Sequence, residues 1–178
     1  MLPEKTLAWG QSRSCIRELA EYGAKRKAEI GADKVYDFSL GNPSVPAPEC
    51  VNRAVIDIVS DKTIPAHAYT TAAGLISLRQ KLAEDLNARY ALKLSPELLY
   101  VTCGAAASLT IFLRAVLLPG DEVVVIAPFF PEYRVFVEGA GGKLVIVPAA
   151  ADFTVDIEAF DKAISSKTKA VIINSPKN

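Results

Sequence analysis

The stretch EVVVIAPFFPEYRVFVEGAGGKLVIVP, residues 122–148, decides the fold of this chain. Its two apolar runs, 122–127 and 143–148, carry apolar residues at consecutive positions, which is typical of strands buried on both faces. Between them, residues 131–138 have the apolar spacing of a helix. A strand, a helix and a second strand in this order predict parallel strands joined by a crossover helix.

The same alternation continues in both directions along the chain. An apolar run at 98–102 precedes a predicted helix at 105–117, and a predicted helix at 157–164 precedes a last apolar run at 170–174. Three more helices and a short strand-like piece are predicted upstream, at 13–30, 49–59, 75–91 and 35–40. We therefore predict an α/β fold, in which a mostly parallel sheet is flanked by helices.

Composition excludes several classes of function. The chain has 178 residues, enough for one domain with a core, and its 20 Lys and Arg residues balance 20 Asp and Glu residues. Balanced charge argues against a nucleic-acid partner, because neutralising phosphates requires clustered basic residues. Cys15, Cys50 and Cys103 are far apart and His67 is the one histidine, so we predict no metal site. With no signal peptide and no membrane-spanning run, we expect a cytoplasmic protein without a membrane partner.

Ligands of parallel α/β sheets bind beyond the carboxyl ends of the strands, so the loops there are the candidate sites. TCGAAAS, residues 102–108, places small residues where a strand meets the start of a helix. Free backbone N–H groups and the helix dipole favour a phosphate there, although close packing of helix on sheet would select the same residues. The chain has neither GxGxxG nor GxxxxGK[ST], which disfavours a dinucleotide or a nucleoside triphosphate.

Two further loops add candidate residues. APFFPEY, residues 127–133, offers aromatic rings that could stack on a flat heteroaromatic ligand or serve as core or lid residues. SLGNPSVPAP, residues 39–48, contains Gly41, which exposes backbone to a nearby ligand. The prolines of this second loop also make it the best candidate for a subdomain boundary.

Five motifs in order resemble the N-terminal half of class I/II aminotransferases, which belong to the fold-type I family of pyridoxal 5′-phosphate (PLP) enzymes. They are DFSLGNP, AYTTAAGLISLRQKLAE, VTCGAAASL, LLPGDEVVVIAPFFPEY and AVIINSPKN, and the resemblance extends from about Arg13 to Asn178. The resemblance implies PLP as cofactor and amino-group transfer from an amino acid to a 2-oxo acid. It also implies that residues 1–47 are an N-terminal segment of the small domain and residues 48–178 the first portion of the large PLP-binding domain.

The resemblance assigns the phosphate and the ring of PLP to two of the loops. Gly104, Ala105 and Ala106 look like the turn whose backbone N–H groups hold the PLP phosphate. Many members have a hydroxyl residue within that turn, and the two alanines supply none, so only the backbone part of the role transfers. Phe130 matches the aromatic residue that stacks on the pyridine ring.

Three more residues match family positions. Tyr69 matches a tyrosine that reaches the cofactor phosphate of the neighbouring subunit, which implies a homodimer. Gly41 matches the glycine at the substrate carboxylate. Asn178 matches the asparagine that hydrogen-bonds the ring hydroxyl of PLP.

The resemblance also implies what this sequence lacks. In the family, the Schiff-base lysine, the aspartate on the pyridine nitrogen and the arginine for the substrate carboxylate all follow the asparagine motif. We therefore expect an incomplete chain without a catalytic residue, inactive alone. Lys177 is nearest to the expected cofactor, but it occupies a variable position and is expected to be solvated.

Two alternatives stay open at this point. A PLP-dependent lyase or synthase, such as a C–S lyase, would use the same scaffold. The chain could also be a non-catalytic fragment that assembles with a partner half. The choice of amino acid is not readable, since the side-chain pocket of these enzymes draws on segments that this sequence does not contain.

Overall fold

The structure, a computed structural model, describes residues 2–12, 14–41, 43 and 45–175. Within these ranges the chain forms seven α-helices, three β-strands and two short 3₁₀ turns. The helices are α1 (Glu4–Gln11), α2 (Cys15–Ile30), α3 (Glu49–Ser60), α4 (Ile76–Tyr90), α5 (Ala105–Val116), α6 (Glu132–Gly139) and α7 (Ile157–Ala163). The strands are β1 (Glu122–Ile126), β2 (Lys143–Val147) and β3 (Thr168–Ile172), and the 3₁₀ turns are Ala32–Lys34 and Pro96–Leu98.

The three strands form one parallel sheet in the order β2-β1-β3. Val124 at the centre of β1 is paired with Val145 of β2 and with Val171 of β3. The side chains of Val123, Val124 and Val125 are completely buried. The predicted α/β class with a parallel sheet is confirmed, and the consecutive apolar residues of β1 are explained by cover on both of its faces.

Helices pack on both sides of the sheet. On one side, Leu113 of α5 and Val137 of α6 join Val123 and Val125 in a core cluster. On the other side, Val124 packs with Ile126 and Val147, and three residues of α7 cover them: Ala159, Phe160 and Ala163. The core is therefore centred on β1.

Two predicted strands do not form within the described residues. Residues 99–102 lie outside the sheet, and the Val101 N–H donates to the Ala73 carbonyl of a loop instead. Residues 35–40 also form no strand, because Asp37 accepts the N–H of Ser39 at 3.0 Å and so removes a donor that a strand ladder would use. Both predictions were based on apolar content alone, and a strand also requires a neighbour.

The bounds of the other helices and strands differ from the predicted bounds by one or two residues. Helix α1 was not predicted from the sequence. Strand β3 begins two residues earlier than predicted and ends two residues earlier. The described residues up to Tyr69 form one compact unit and those from Thr70 onward form another. The division at 47/48 rests on the domains of the family and stays a prediction. None of the helices in the described ranges is both long and apolar enough to cross a lipid bilayer.

Candidate cofactor site

The length and direction of α5 indicate where its first turn lies relative to the sheet. A short link joins the end of α5 to the start of β1, and the Leu118 N–H closes it by donating to Asp121 Oδ2 at 2.9 Å. Helix α5 has 12 residues, about 18 Å, and β1 has five, about 16 Å. Since α5 packs along the sheet, we infer that its first turn points toward the carboxyl end of β1.

The first turn of α5 presents open backbone. Gly104 immediately precedes the helix with φ 120°, a conformation that favours glycine, and no atom lies within 4 Å of the place where a Cβ would be. The first intrahelical bond runs from the Ser108 N–H to the Gly104 carbonyl at 3.1 Å. The N–H groups of Ala105, Ala106 and Ala107 therefore have no partner inside the helix. Together with the helix dipole, they suit a phosphate, which methyl side chains would not obstruct.

A pair of hydroxyl groups stabilises this turn from within. Thr102 Oγ1 donates to the Gly104 carbonyl at 3.0 Å and lies 2.6 Å from Ser108 Oγ. Either hydroxyl can be the donor of this short contact, because Thr102 has a single proton to give to Gly104 or to Ser108. The backbone N–H groups of the first turn are donors to an anion in both arrangements. Sequence reasoning missed this pairing, since nothing in the spacing of two hydroxyl residues shows that they meet.

The aromatic loop after β1 divides its rings between packing and exposure. Phe129 and Tyr133 pack against the core beneath β1, and their rings stack with centroids 6.4 Å apart. Phe130 is half-buried and meets Tyr133 edge to face at 5.7 Å. Of the two phenylalanines, Phe129 is the one that packs against this core cluster, and the cofactor role of Phe130 stays a prediction.

Titratable groups collect at the opposite edge of the sheet. Glu122 at the start of β1 accepts from the Ser165 hydroxyl at 2.8 Å and from Lys143 Nζ at 3.2 Å. The Ser165 hydroxyl, followed by the Lys143 ammonium, lowers the pKa of the Glu122 carboxyl. These groups lie at the amino edge of the sheet, where β1 and β2 begin.

The remaining predicted site residues belong to other parts of the chain. Gly41 and Tyr69 lie in the N-terminal unit, where both are exposed, with Tyr69 at 105% of its reference surface. Asn178 lies outside the described residues. In the described part of the chain, no three His, Cys, Asp or Glu side chains are grouped to hold a metal ion. The roles of Gly41, Tyr69 and Asn178 therefore stay predictions.

Comparison with known proteins gives a consistent result. The family model described as aminotransferase class I and II matches residues 33–178. A (5-formylfuran-3-yl)methyl phosphate transaminase of Methanocaldococcus jannaschii is 33% identical over 154 residues, which are 86% of this chain and 39% of that protein. An aspartate aminotransferase of Thermotoga maritima is 33% identical over 166 residues, or 92% of this chain and 43% of that protein.

A solved structure is also similar along the whole chain. The crystal structure of an amino transferase from Eubacterium rectale matches with a TM-score of 0.93 and 46% identity, covering 100% of this chain and 46% of that one. The chain thus spans about two fifths of the length of the curated relatives it matches. With the family model matching residues 33–178, the chain belongs to the class I and II aminotransferases, a family that is PLP-dependent in general.

Proposed function

We propose that this chain is the PLP-binding portion of an aminotransferase that moves an amino group from an amino acid to a 2-oxo acid. The first turn of α5 carries the proposal. It combines an open Gly104, free N–H groups and small side chains at the carboxyl edge of a parallel sheet, in a chain of the aminotransferase family. These residues fit a phosphate ester and leave room for it.

Each residue of the turn region has a defined part in this proposal. The N–H groups of Ala105 and Ala106 hold the phosphate, with Gly104 allowing it to approach the backbone. The ring of Phe130 lies against the pyridine ring and orients it, and Asn178 holds the ring hydroxyl. When bound, PLP supplies an electron sink for the amino-bearing carbon of the substrate. The chain supplies binding and orientation.

Two residues of the N-terminal unit have proposed roles, one toward the substrate and one toward a second subunit. Gly41 contacts the substrate carboxylate, and Tyr69 reaches the cofactor phosphate of a second copy of the chain in a homodimer. The Tyr69 side chain is exposed, so a second copy of the chain could reach it.

In this proposal, neither Lys143 nor Lys169 is the lysine that bonds covalently to the cofactor. Lys143 begins β2 at the amino edge of the sheet, where it pairs with Glu122. Lys169 is the second residue of β3 and also lies toward that edge. A catalytic lysine requires a desolvated position at the cofactor, so the chain alone is expected to bind PLP without transaminating.

The test separates binding from covalent attachment. Pyridoxine 5′-phosphate has the ring and phosphate of PLP but no aldehyde, so it binds without bonding to surface lysines. We expect it to bind the chain by calorimetry and pyridoxine, which lacks the phosphate, to bind far more weakly. Equal binding of the two compounds, or none, would contradict the phosphate role of the turn.

A second measurement addresses the lysine. After incubation with PLP and reduction with borohydride, peptide mapping is expected to find no stoichiometric adduct at a single lysine. A site-specific adduct would show that the covalent lysine lies within this sequence. Reading the gene beyond the Asn178 codon tests the parent reaction, which requires an aspartate and a later lysine in the same frame.

A further inference from the structure

Residues 99–102 lead toward the phosphate turn, and hydrogen bonds to this run and to the segment before it fix their position. Residues 99–102 connect the 3₁₀ turn Pro96–Leu98 to Gly104, and they lie outside the sheet. The position of the turn before α5 depends on where this run is fixed. The run itself bonds to the loop that precedes α4, and side chains of α4 fix the segment immediately upstream of it.

Arg79 of α4 joins the two ends of this arrangement. Its Nη1 donates to the Pro96 carbonyl at 2.9 Å, and its Nε donates to the Gly74 carbonyl at 3.3 Å. The guanidinium is half-buried and planar, so one side chain holds two separate backbone segments in a fixed relation. A charged donor also forms a stronger bond to a carbonyl than a neutral donor does.

The loop and the run touch directly as well. The Val101 N–H donates to the Ala73 carbonyl at 3.1 Å. Gly74 has φ 90°, and a Cβ there would lie 2.9 Å from Val101 Cβ. Only glycine allows this approach. The residue that it contacts, Val101, precedes Gly104 by three positions in the sequence.

A second side chain of α4, that of Asn87, fixes the chain further upstream, at Leu94. Asn87 Nδ2 donates to the Leu94 carbonyl at 2.9 Å, and Asn87 Oδ1 accepts the Leu94 N–H at 2.7 Å. Residues 94–101 are therefore attached along α4 at Leu94, at Pro96 and, through the preceding loop, at Val101. These backbone groups are satisfied by α4 and its loop in the way a neighbouring strand would satisfy them.

We propose that Arg79 is a positioning residue for the cofactor: it fixes the run that ends at Gly104 and so sets the affinity of the turn for the PLP phosphate. This inference rests on the proposed function, because the phosphate is the ligand whose affinity it concerns. Arg79 acts through the backbone of Pro96 and Gly74 and does not touch the phosphate.

The same helix offers a matched control. Arg89 pairs with Asp85 at 2.9 Å on an exposed part of α4, where its side chain is 67% accessible. Exposed pairs of this kind contribute little to stability. Arg89→Ala therefore removes a guanidinium and an ion pair from α4 without removing a bond to the 94–101 segment.

The experiment measures pyridoxine 5′-phosphate affinity of the 178-residue chain by calorimetry, for the wild type, R79A, R79K and R89A. We expect R79A to bind about tenfold more weakly, which corresponds to about 1.4 kcal/mol. R79K should lose less, because lysine retains a charge but not the fork that reaches both carbonyls. R89A should bind as the wild type does.

Amide hydrogen exchange distinguishes a local effect of R79A from a general loss of stability, because a general loss would also accelerate exchange in β1. In R79A, exchange should accelerate for the hydrogen-bonded amides of Leu99 and Val101 and stay unchanged in β1. Unchanged affinity in R79A, or equal acceleration in β1, would overturn the inference. A wild-type chain that does not bind pyridoxine 5′-phosphate overturns the proposed function, and exchange at Leu99 and Val101 then still decides whether Arg79 fixes the run.

Discussion

Strand β1 and helix α3 are built from the same kind of residue and are buried to opposite extents. Three valines of β1 are completely inaccessible, whereas α3 has no buried residue among its 12 and exposes Ile56 by 63%. The difference comes from neighbours. Two strands flank β1 and helices cover both of its faces, whereas the described part of the chain buries no residue of α3. Apolar content thus predicts what can be buried, and topology decides what is buried.

The largest effect is expected in the core beneath β1. Leu113 is 1% exposed and packs with Val123 and Val125, so Leu113→Ala leaves a cavity. We expect a loss of about 2–5 kcal/mol in the free energy of unfolding, measured by urea titration followed by circular dichroism. A loss below about 1 kcal/mol would mean that the core under β1 relaxes around the cavity and is not closely packed.

A smaller loss is expected where the loop before α4 meets the run to Gly104. Gly74→Ala combines a positive φ with a close approach to Val101, and strain of this kind costs about 1–3 kcal/mol. Gly10→Ala in α1 is the matched control, because nothing lies within 4 Å of its Cβ position and alanine favours a helix. Equal urea midpoints for the two variants would contradict the contact at Val101.

A pH-dependent effect is expected in the N-terminal unit. Asp37 accepts from Lys27 Nζ at 2.7 Å and from the N–H and hydroxyl of Ser39. The Lys27 ammonium, followed by the two Ser39 donors, holds the pKa of the Asp37 carboxyl well below its usual range. The folded state therefore gains stability above the ordinary aspartate pKa of about 3.9 and loses it as the pH falls below that value.

Asp37→Asn tests this linkage against a matched aspartate. The gap in unfolding free energy between the wild type and D37N should be largest near neutrality and narrow as the pH is lowered below about 4. Asp61 accepts the N–H and hydroxyl of Thr63 in the same way, which lowers its pKa without an ammonium among the causes. At neutral pH, the difference in unfolding free energy between the wild type and D61N should therefore be smaller than the difference between the wild type and D37N. A gap for D37N that is independent of pH would contradict the assigned pKa shift.

The smallest effect is expected on α3. Ile56→Ala removes apolar atoms that are already exposed, so the free energy of unfolding should change by less than about 0.5 kcal/mol. The comparison with Leu113→Ala uses the same measurement and a similar truncation. A loss at Ile56 as large as that at Leu113 would show that another surface covers α3 in solution, and it should then depend on protein concentration.

Much of the architecture could be predicted from the sequence, because periodicity and capping are local. The runs at 122–127 and 143–148 became β1 and β2, and the helix between them formed within one residue of its predicted bounds. The strand predicted at 98–102 was wrong because pairing is not local. Its apolar residues are as strand-like as those of β3, but its backbone N–H groups bond elsewhere: Val101 donates to the Ala73 carbonyl and Leu99 to the Pro96 carbonyl.

The candidate site was predictable in part for a related reason. The small residues at 104–106 and the aromatic residue at 130 can be read from motifs, since each depends on a few neighbours in sequence. The Thr102–Ser108 hydroxyl pair and the two carbonyl bonds of Arg79 depend on side chains that meet only after folding. Residue types alone do not show where such protons go.

The open backbone of the phosphate turn has a consequence for how a cofactor would be retained. The N–H groups of Ala105, Ala106 and Ala107, which the turn offers to an anion, are peptide groups. Peptide groups do not titrate in the range where a phosphate ester takes up its second proton, near a pKa of about 6. Retention of a phosphorylated cofactor by this turn would therefore follow the charge of the cofactor itself: acidification would weaken its binding by removing one of the two negative charges of the phosphate, while the peptide groups keep their charge state.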